Sequence, residues 1–138
     1  MIGYLGMMAA LAWLVLTRRF FSASPFVIAP QVLAVVLMIW ARLTFGLRSF
    51  HAIANPTEGG LVTSGPYRFV RHPIYTAVCL LSLPGVFAHW SWLSALLGAT
   101  VVSGALLRMW QEEKLLTVRY PEYLQYAAHT SRMIPGLF

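Results

Sequence analysis

Aspartate is absent from the sequence, and its only acidic side chains are Glu58, Glu112, Glu113 and Glu122. A Ser-His-Asp hydrolytic triad is therefore excluded, and nothing places a glutamate variant of one. Cysteine occurs once, as Cys79 inside an apolar run, so no intramolecular disulfide can form and the thiol reads as buried and inert. The histidines, at 51, 72, 89 and 129, follow no compact ligand spacing, and no metal site is expected. Gly59-Gly60 has neither the length nor the lysine of a phosphate loop. No internal repeat or low-complexity linker interrupts the chain.

Charge is scarce as well. Charged residues make up 10% of the 138 positions, against about 25% in soluble domains. Hydrophobic residues make up 59%, and the mean hydropathy is +0.69. A single domain of this length cannot hide so much apolar surface, so much of it must face lipid. The net charge of +6 does not indicate nucleic acid, because the cations flank apolar runs instead of covering a polar scaffold. They suit lipid headgroups and membrane topology.

Four apolar runs predict an all-α, polytopic membrane protein built as one domain over 1–138. The spans lie at about 2–17, 26–45, 74–88 and 90–110, with a loop at 46–73 and an amphipathic tail at 111–138. The first run lacks basic residues before it and has Arg18-Arg19 after it, which argues against a signal peptide. Pro84-Gly85 predicts that the third span bends or ends early. Trp90 and Trp92 sit where an interfacial aromatic belt would lie. Leu116, Tyr120, Tyr123, Leu124 and Ala127 recur at helical spacing in the tail, and Pro121 could open a second short helix there. With four crossings, Arg42, Arg48, Arg68, Arg71, Arg108, Lys114, Arg119 and Arg132 share one face, against Arg18 and Arg19 on the other. The positive-inside rule then places both termini, the long loop and any active site in the cytoplasm, at the cell membrane if the source is prokaryotic.

Two polar clusters remain. In "LVTSGPYRFVRHPIYTA" (61–77), Tyr67, Arg71, His72 and Tyr75 stand at the mouth of the third span. Pro73 biases His72 away from helix, so the chain bends there, freeing backbone amides and aiming His72 and Tyr75 into a crevice. The same residues would also serve as interfacial anchors. In the second cluster Arg108 and Glu112 are four residues apart on one helix face, with Glu113 beside them. An exposed ion pair of that kind contributes little stability, but an arginine ending an apolar span is a functional candidate.

Taken together, "LVTSGPYRFVRHPIY", "RMWQEEKLL" and "YPEYLQY…RMIPGLF" resemble the isoprenylcysteine carboxyl methyltransferase family, and more loosely the phospholipid N-methyltransferases, over about 40–138. The resemblance implies an integral membrane enzyme that uses S-adenosylmethionine. It implies that Gly60, Leu61, Val62, Tyr67, His72, Pro73, Ile74, Tyr75 and Glu112 line the cofactor. It also implies that Arg108, with Arg42, faces a lipid or lipidated substrate. Ala77 stands where relatives often have glycine, Tyr120-Pro121 replaces a usual Phe-Gly, and the chain is shorter than eukaryotic members. Methyl transfer to a carboxylate, already ionised with a pKa near 4, requires no base, and Arg108 has the fork geometry to hold one. An amine acceptor would need a base such as Glu113 or His51. A sterol-reductase-like NADPH enzyme carries a similar Arg-His-Pro-x-Tyr block, but the Glu112-Glu113 pair favours the methyltransferase. A non-catalytic membrane protein is the remaining alternative.

Overall fold

The computed structural model describes residues 2–46 and 60–138. Among them the chain is helical, with no strand: α1 (Ile2–Leu16), α2 (Pro25–Phe45), a 3₁₀ turn (Gly65–Arg68), α3 (Pro73–Ala88), α4 (Trp92–Arg119) and α5 (Tyr123–Ala128). A lone parallel bridge joins Val70 to Ser131. Prolines at the starts of α2, the 3₁₀ turn and α3 fall in the first helical turn, where a missing N–H costs nothing. Ser91 caps α4 by accepting from the Ser94 N–H at 3.1 Å.

The four long helices pack as two antiparallel pairs. In the first, Gly104 of α4 lies against Gly3 of α1, so close that a Cβ on Gly104 would sit 2.7 Å from the Gly3 carbonyl. Small residues at such a crossing let two backbones approach. Met7 and Ala10 of α1, Val101, Ala105 and Met109 of α4 and Tyr75 of α3 fill the resulting core. In the second pair Gln31 of α2, buried, donates to the carbonyls of Phe20 and Leu81 at 2.8 and 3.0 Å. The antiparallel order brings the start of α1, the end of α2, the start of α3 and the latter part of α4 to one end of the bundle.

Two helices, α2 and α4, are long and apolar enough to cross a membrane, while α1 and α3 are apolar but shorter. The outer face of α2 carries Val32, Leu33, Val36 and Ile39, all exposed. A water-facing surface rarely presents so continuous an apolar stripe. At 1.5 Å per residue α4 measures about 42 Å, longer than the ~30 Å hydrocarbon core, so its last two turns, from Glu112 on, project beyond.

Three sequence expectations are refined. α3 does not end early at Pro84-Gly85 but continues to Ala88. Gly85 is needed for packing: a Cβ there would meet the carbonyls of Phe20 and Arg19, the latter at 2.7 Å. Second, α4 includes the stretch of the expected fourth span and continues as helix to Arg119, because "QEEKLLTVR" has no breaker before Pro121. Third, the short helix expected after Pro121 is present, but the tail beyond it is not helical. Only Tyr123–Ala128 forms a helix, and the remaining segment runs back over the start of α3.

Candidate active site

The bend before α3 is built from local sequence. Gly65 adopts φ +58°, and a Cβ there would press on the Thr44 side chain, 2.9 Å from its methyl, so only glycine fits beside the end of α2. Pro66 and Tyr67, both buried, follow in the 3₁₀ turn. His72, held non-helical by Pro73 at φ −126° and ψ 56°, caps α3. Two amides at this bend, expected to be free, are bonded. The C-terminal segment takes them: Arg71 N–H donates to Ser131 at 2.8 Å and His72 N–H to Arg132 at 2.9 Å.

His72, 5% exposed, stands between two carboxylates of α4. Its Nδ1 lies 3.6 Å from Glu112 Oε2 and its Nε2 lies 3.4 Å from Glu113 Oε1. Glu112 also accepts from the Tyr75 hydroxyl at 2.6 Å and approaches Arg108 Nη2 at 3.4 Å. Arg108, 6% exposed, donates from Nε to the Tyr75 oxygen at 3.1 Å, with its guanidinium over the Tyr4 ring. The Arg108–Glu112 pair is thus buried on one side and tied to α3, not a loose surface pair.

Glu113 is bound differently. Arg71 Nε donates to it at 3.2 Å, and Arg132, from the C-terminal segment, donates to both of its oxygens at 3.2 Å. Arg71 reaches on to the carbonyls of Ala127 and Thr130. Tyr126 completes the closure by donating to the Tyr67 carbonyl at 2.6 Å.

The electrostatics follow from these contacts. Burial alone would lower the His72 pKa, but the hydrogen bonds and charges of Glu112 and Glu113 together hold it above its ordinary 6.5. Burial also works against ionisation of Glu113, yet His72, Arg132 and Arg71 bring its pKa down to about 2. Burial, then the charges of Tyr126 and Glu112, push the Tyr67 phenol up, with Arg42 opposing. Glu112 keeps 25% of its side chain exposed against 15% for Glu113, so it is the more open carboxylate.

The structure therefore brings together His72, Tyr75, Arg108, Glu112 and Glu113, with Tyr67 and Arg42 within electrostatic reach. Pro73 is buried and Ile74 half-buried in the first turn of α3. Gly60 is exposed, and Leu61 and Val62 half-buried, in the extended chain leading into the turn. His51 lies outside the described residues. Sequence reasoning placed Arg71 in the cluster at the mouth of the third span but gave it no partner, and assigned no part to Arg132; the basic heads of both converge on Glu113. It also missed Tyr123, whose hydroxyl is the buried side-chain polar atom without a hydrogen-bond partner among the described residues. The acidic surplus at 112–113 was the available signal for the two arginines. No described cluster of three His, Cys, Asp or Glu could hold a metal.

The sequence model of the isoprenylcysteine carboxyl methyltransferase family matches residues 24–118. That segment contains every residue of the His72–Glu113 cluster but not Arg132. The cobalt-zinc-cadmium resistance protein CzcN of Cupriavidus metallidurans is 31% identical over 119 residues, covering 83% of this chain and 51% of that protein. The chain thus spans about half the length of this curated relative. No solved structure matches.

Proposed function

The chain belongs to the isoprenylcysteine carboxyl methyltransferase family, and on that premise we propose an integral membrane methyltransferase that methylates the carboxylate of a lipidated or hydrophobic acceptor, with S-adenosylmethionine as donor. In this reading the domain crosses the membrane four times, with both termini and the site cytoplasmic. The observation that carries it is the Arg108–Tyr75–Glu112 contact: a buried guanidinium held in one orientation where α4 leaves the apolar layer.

The residues present fit such a donor. Glu112 offers a part-open carboxylate to a cationic or hydroxyl-bearing ligand, and the partnerless Tyr123 hydroxyl is buried where the charges of Glu113, Arg71 and Arg132 act on it. A buried hydroxyl left unpaired costs about 1–3 kcal/mol, which a ligand atom or water would offset. Glu112, Tyr75, His72 and Tyr67 would hold the cofactor, with Gly60, Leu61, Val62, Pro73 and Ile74 lining it. When bound, the cofactor supplies a methyl group on a positively charged sulfur, displaced in line.

The chain's own work is alignment and exclusion of water. Arg108, with Arg42, orients an acceptor that is already ionised at neutral pH, through the paired N–H groups of a guanidinium. No base is then needed. An amine acceptor would need one, and Glu113, with a pKa of about 2 and several cationic partners, takes up a proton poorly. We therefore give Glu113 the role of fastening the C-terminal segment, and place carboxylate methylation ahead of amine methylation.

The deciding experiment pairs calorimetry with transfer of labelled methyl. The purified protein is titrated with S-adenosylmethionine and with NADPH, then offered an S-prenylated cysteine with a free carboxylate and a lipid amine. Binding of S-adenosylmethionine with label on the carboxylate supports the reading. Binding of NADPH alone, or label on the amine alone, overturns it.

A further inference from the structure

A second feature lies on another face of α3. Tyr75, Ser82 and Val86 point towards the buried interior, whereas Thr76, Leu80, Leu83 and Phe87 form a stripe about 100° further round the helix. That stripe floors a groove of about 570 Å³, walled by Phe26 of α2 on one side and by Met133 and Ile134 on the other. It therefore opens away from Arg108, which faces Tyr4 of α1.

The chemistry of the lining narrows the occupant. Only Ser24 and Thr76 among the lining side chains carry a hydroxyl, and that of Thr76 is engaged with the carbonyls of His72 and Met133. No charged side chain among the described residues lines the groove. An extended peptide would leave its backbone polar groups unsatisfied there. From Thr76 to Phe87 the groove follows α3 for about 17 Å. The volume leaves a cross-section of roughly 35 Å² over that length, which suits one extended hydrocarbon chain.

The wall that such a chain would touch also belongs to the site. Arg132 turns its guanidinium to Glu113, while the next two residues, Met133 and Ile134, face the groove. The Arg132 carbonyl accepts from His72 and the Met133 carbonyl from Thr76. We propose that the groove is a binding site for a single hydrocarbon chain of a bilayer phospholipid, separate from the acceptor's seat, and that its occupancy seats the C-terminal segment over the His72–Glu113 cluster. The regulatory half rests on the methyltransferase reading; the binding half does not.

The test uses the full chain in nanodiscs containing phosphatidylglycerol with a mid-chain photoreactive diazirine. Crosslinks mapped by mass spectrometry should concentrate on Cys79, Leu80 and Leu83, and should fade when unlabelled phosphatidylglycerol is added in excess. Leu80→Trp or Leu83→Trp, whichever folds, should abolish them. Amide exchange over residues 131–138 should slow about tenfold when delipidated protein receives phosphatidylglycerol. Labelling spread evenly over Val32, Val36 and the groove, without saturation, overturns the site. Saturable labelling with unchanged exchange overturns the coupling. Neither readout uses methyl transfer, so a failure of the catalytic reading would be seen separately.

Discussion

Tyr75 and Glu112 meet across the contact between α3 and α4, the phenol donating to the carboxylate at 2.6 Å. Arg108, one turn before Glu112, donates to the same phenol oxygen at 3.1 Å. The hydroxyl thus gives its proton to the anion and its lone pair to the cation. Losing it would loosen both charges without changing the helices that carry them.

Tyr75→Phe, Glu112→Gln and His72→Ala should each weaken S-adenosylmethionine binding while the protein stays folded. One hydrogen bond to a charged partner contributes on the order of 1.5–3 kcal/mol, or roughly ten- to a hundredfold in affinity. Titration calorimetry with circular dichroism as the folding control checks this. Unchanged affinity in all three would return these residues to an anchoring role at the headgroups.

Arg108→Lys keeps the charge but loses the planar fork. If Arg108 orients a carboxylate acceptor, turnover should fall at least tenfold while cofactor affinity changes little. If it only fixes Glu112, the lysine variant should be nearly silent and Arg108→Ala should weaken cofactor binding instead. A lysine variant with full turnover on a carboxylate acceptor rules out the acceptor role.

The helices and the two halves of the site were legible in the sequence because each is local. Apolar runs mark the helices, Pro73 fixes the non-helical His72, and the i, i+4 spacing pairs Arg108 with Glu112. What was not legible depends on distant chain. Arg132 is 19 residues from Glu113 and separated from it by a turn and a short helix, and no periodicity shows that the tail folds back. Pro84-Gly85 misled for a related reason. Locally it reads as a break, whereas Gly85 accommodates carbonyls from the loop between α1 and α2.

That close packing is testable at the α1–α4 crossing. A Cβ on Gly104 would lie 2.7 Å from the Gly3 carbonyl and 2.8 Å from Met7 Cβ, but one on Gly6 would find Thr100 at an ordinary 3.9 Å. Gly104→Ala should therefore cost about 1–3 kcal/mol of stability, while Gly6→Ala should be near neutral or slightly stabilising. Thermal unfolding in detergent compares them. Equal midpoints for the two variants would refute the tight crossing.

The cation distribution predicts orientation. Arg18 and Arg19 lie at the end of the bundle opposite the site, in the loop between α1 and α2. Tags at both termini should be protected in sealed right-side-out vesicles, and a cysteine label introduced at His89 should be reachable from outside. Termini on opposite faces would remove the four-span arrangement.

The His72–Glu113 pair predicts stability that falls on both sides of a mildly acidic plateau. Glu113 has its pKa lowered from 4.5 to about 2, so its contribution is complete above 4.5 and is lost as pH falls towards 2. His72 has its pKa raised above 6.5, so its contribution is complete below 6.5 and is lost as pH rises through the higher folded value. The two windows overlap between about pH 4.5 and 6.5, where the imidazolium and carboxylate coexist in folded and unfolded chain alike. Midpoints of thermal unfolding should therefore peak there. Glu113→Gln should flatten the acid limb, because the amide binds no proton, and His72→Gln should flatten the alkaline one. Each variant should also be less stable than the parent on the plateau, since Arg71 and Arg132 lose an anion in the first and Glu112 and Glu113 lose a cation in the second. If Glu113→Gln kept the full acid limb, the stability loss would have to come from Glu122 or another carboxylate, and the fastening role of Glu113 would fail with it.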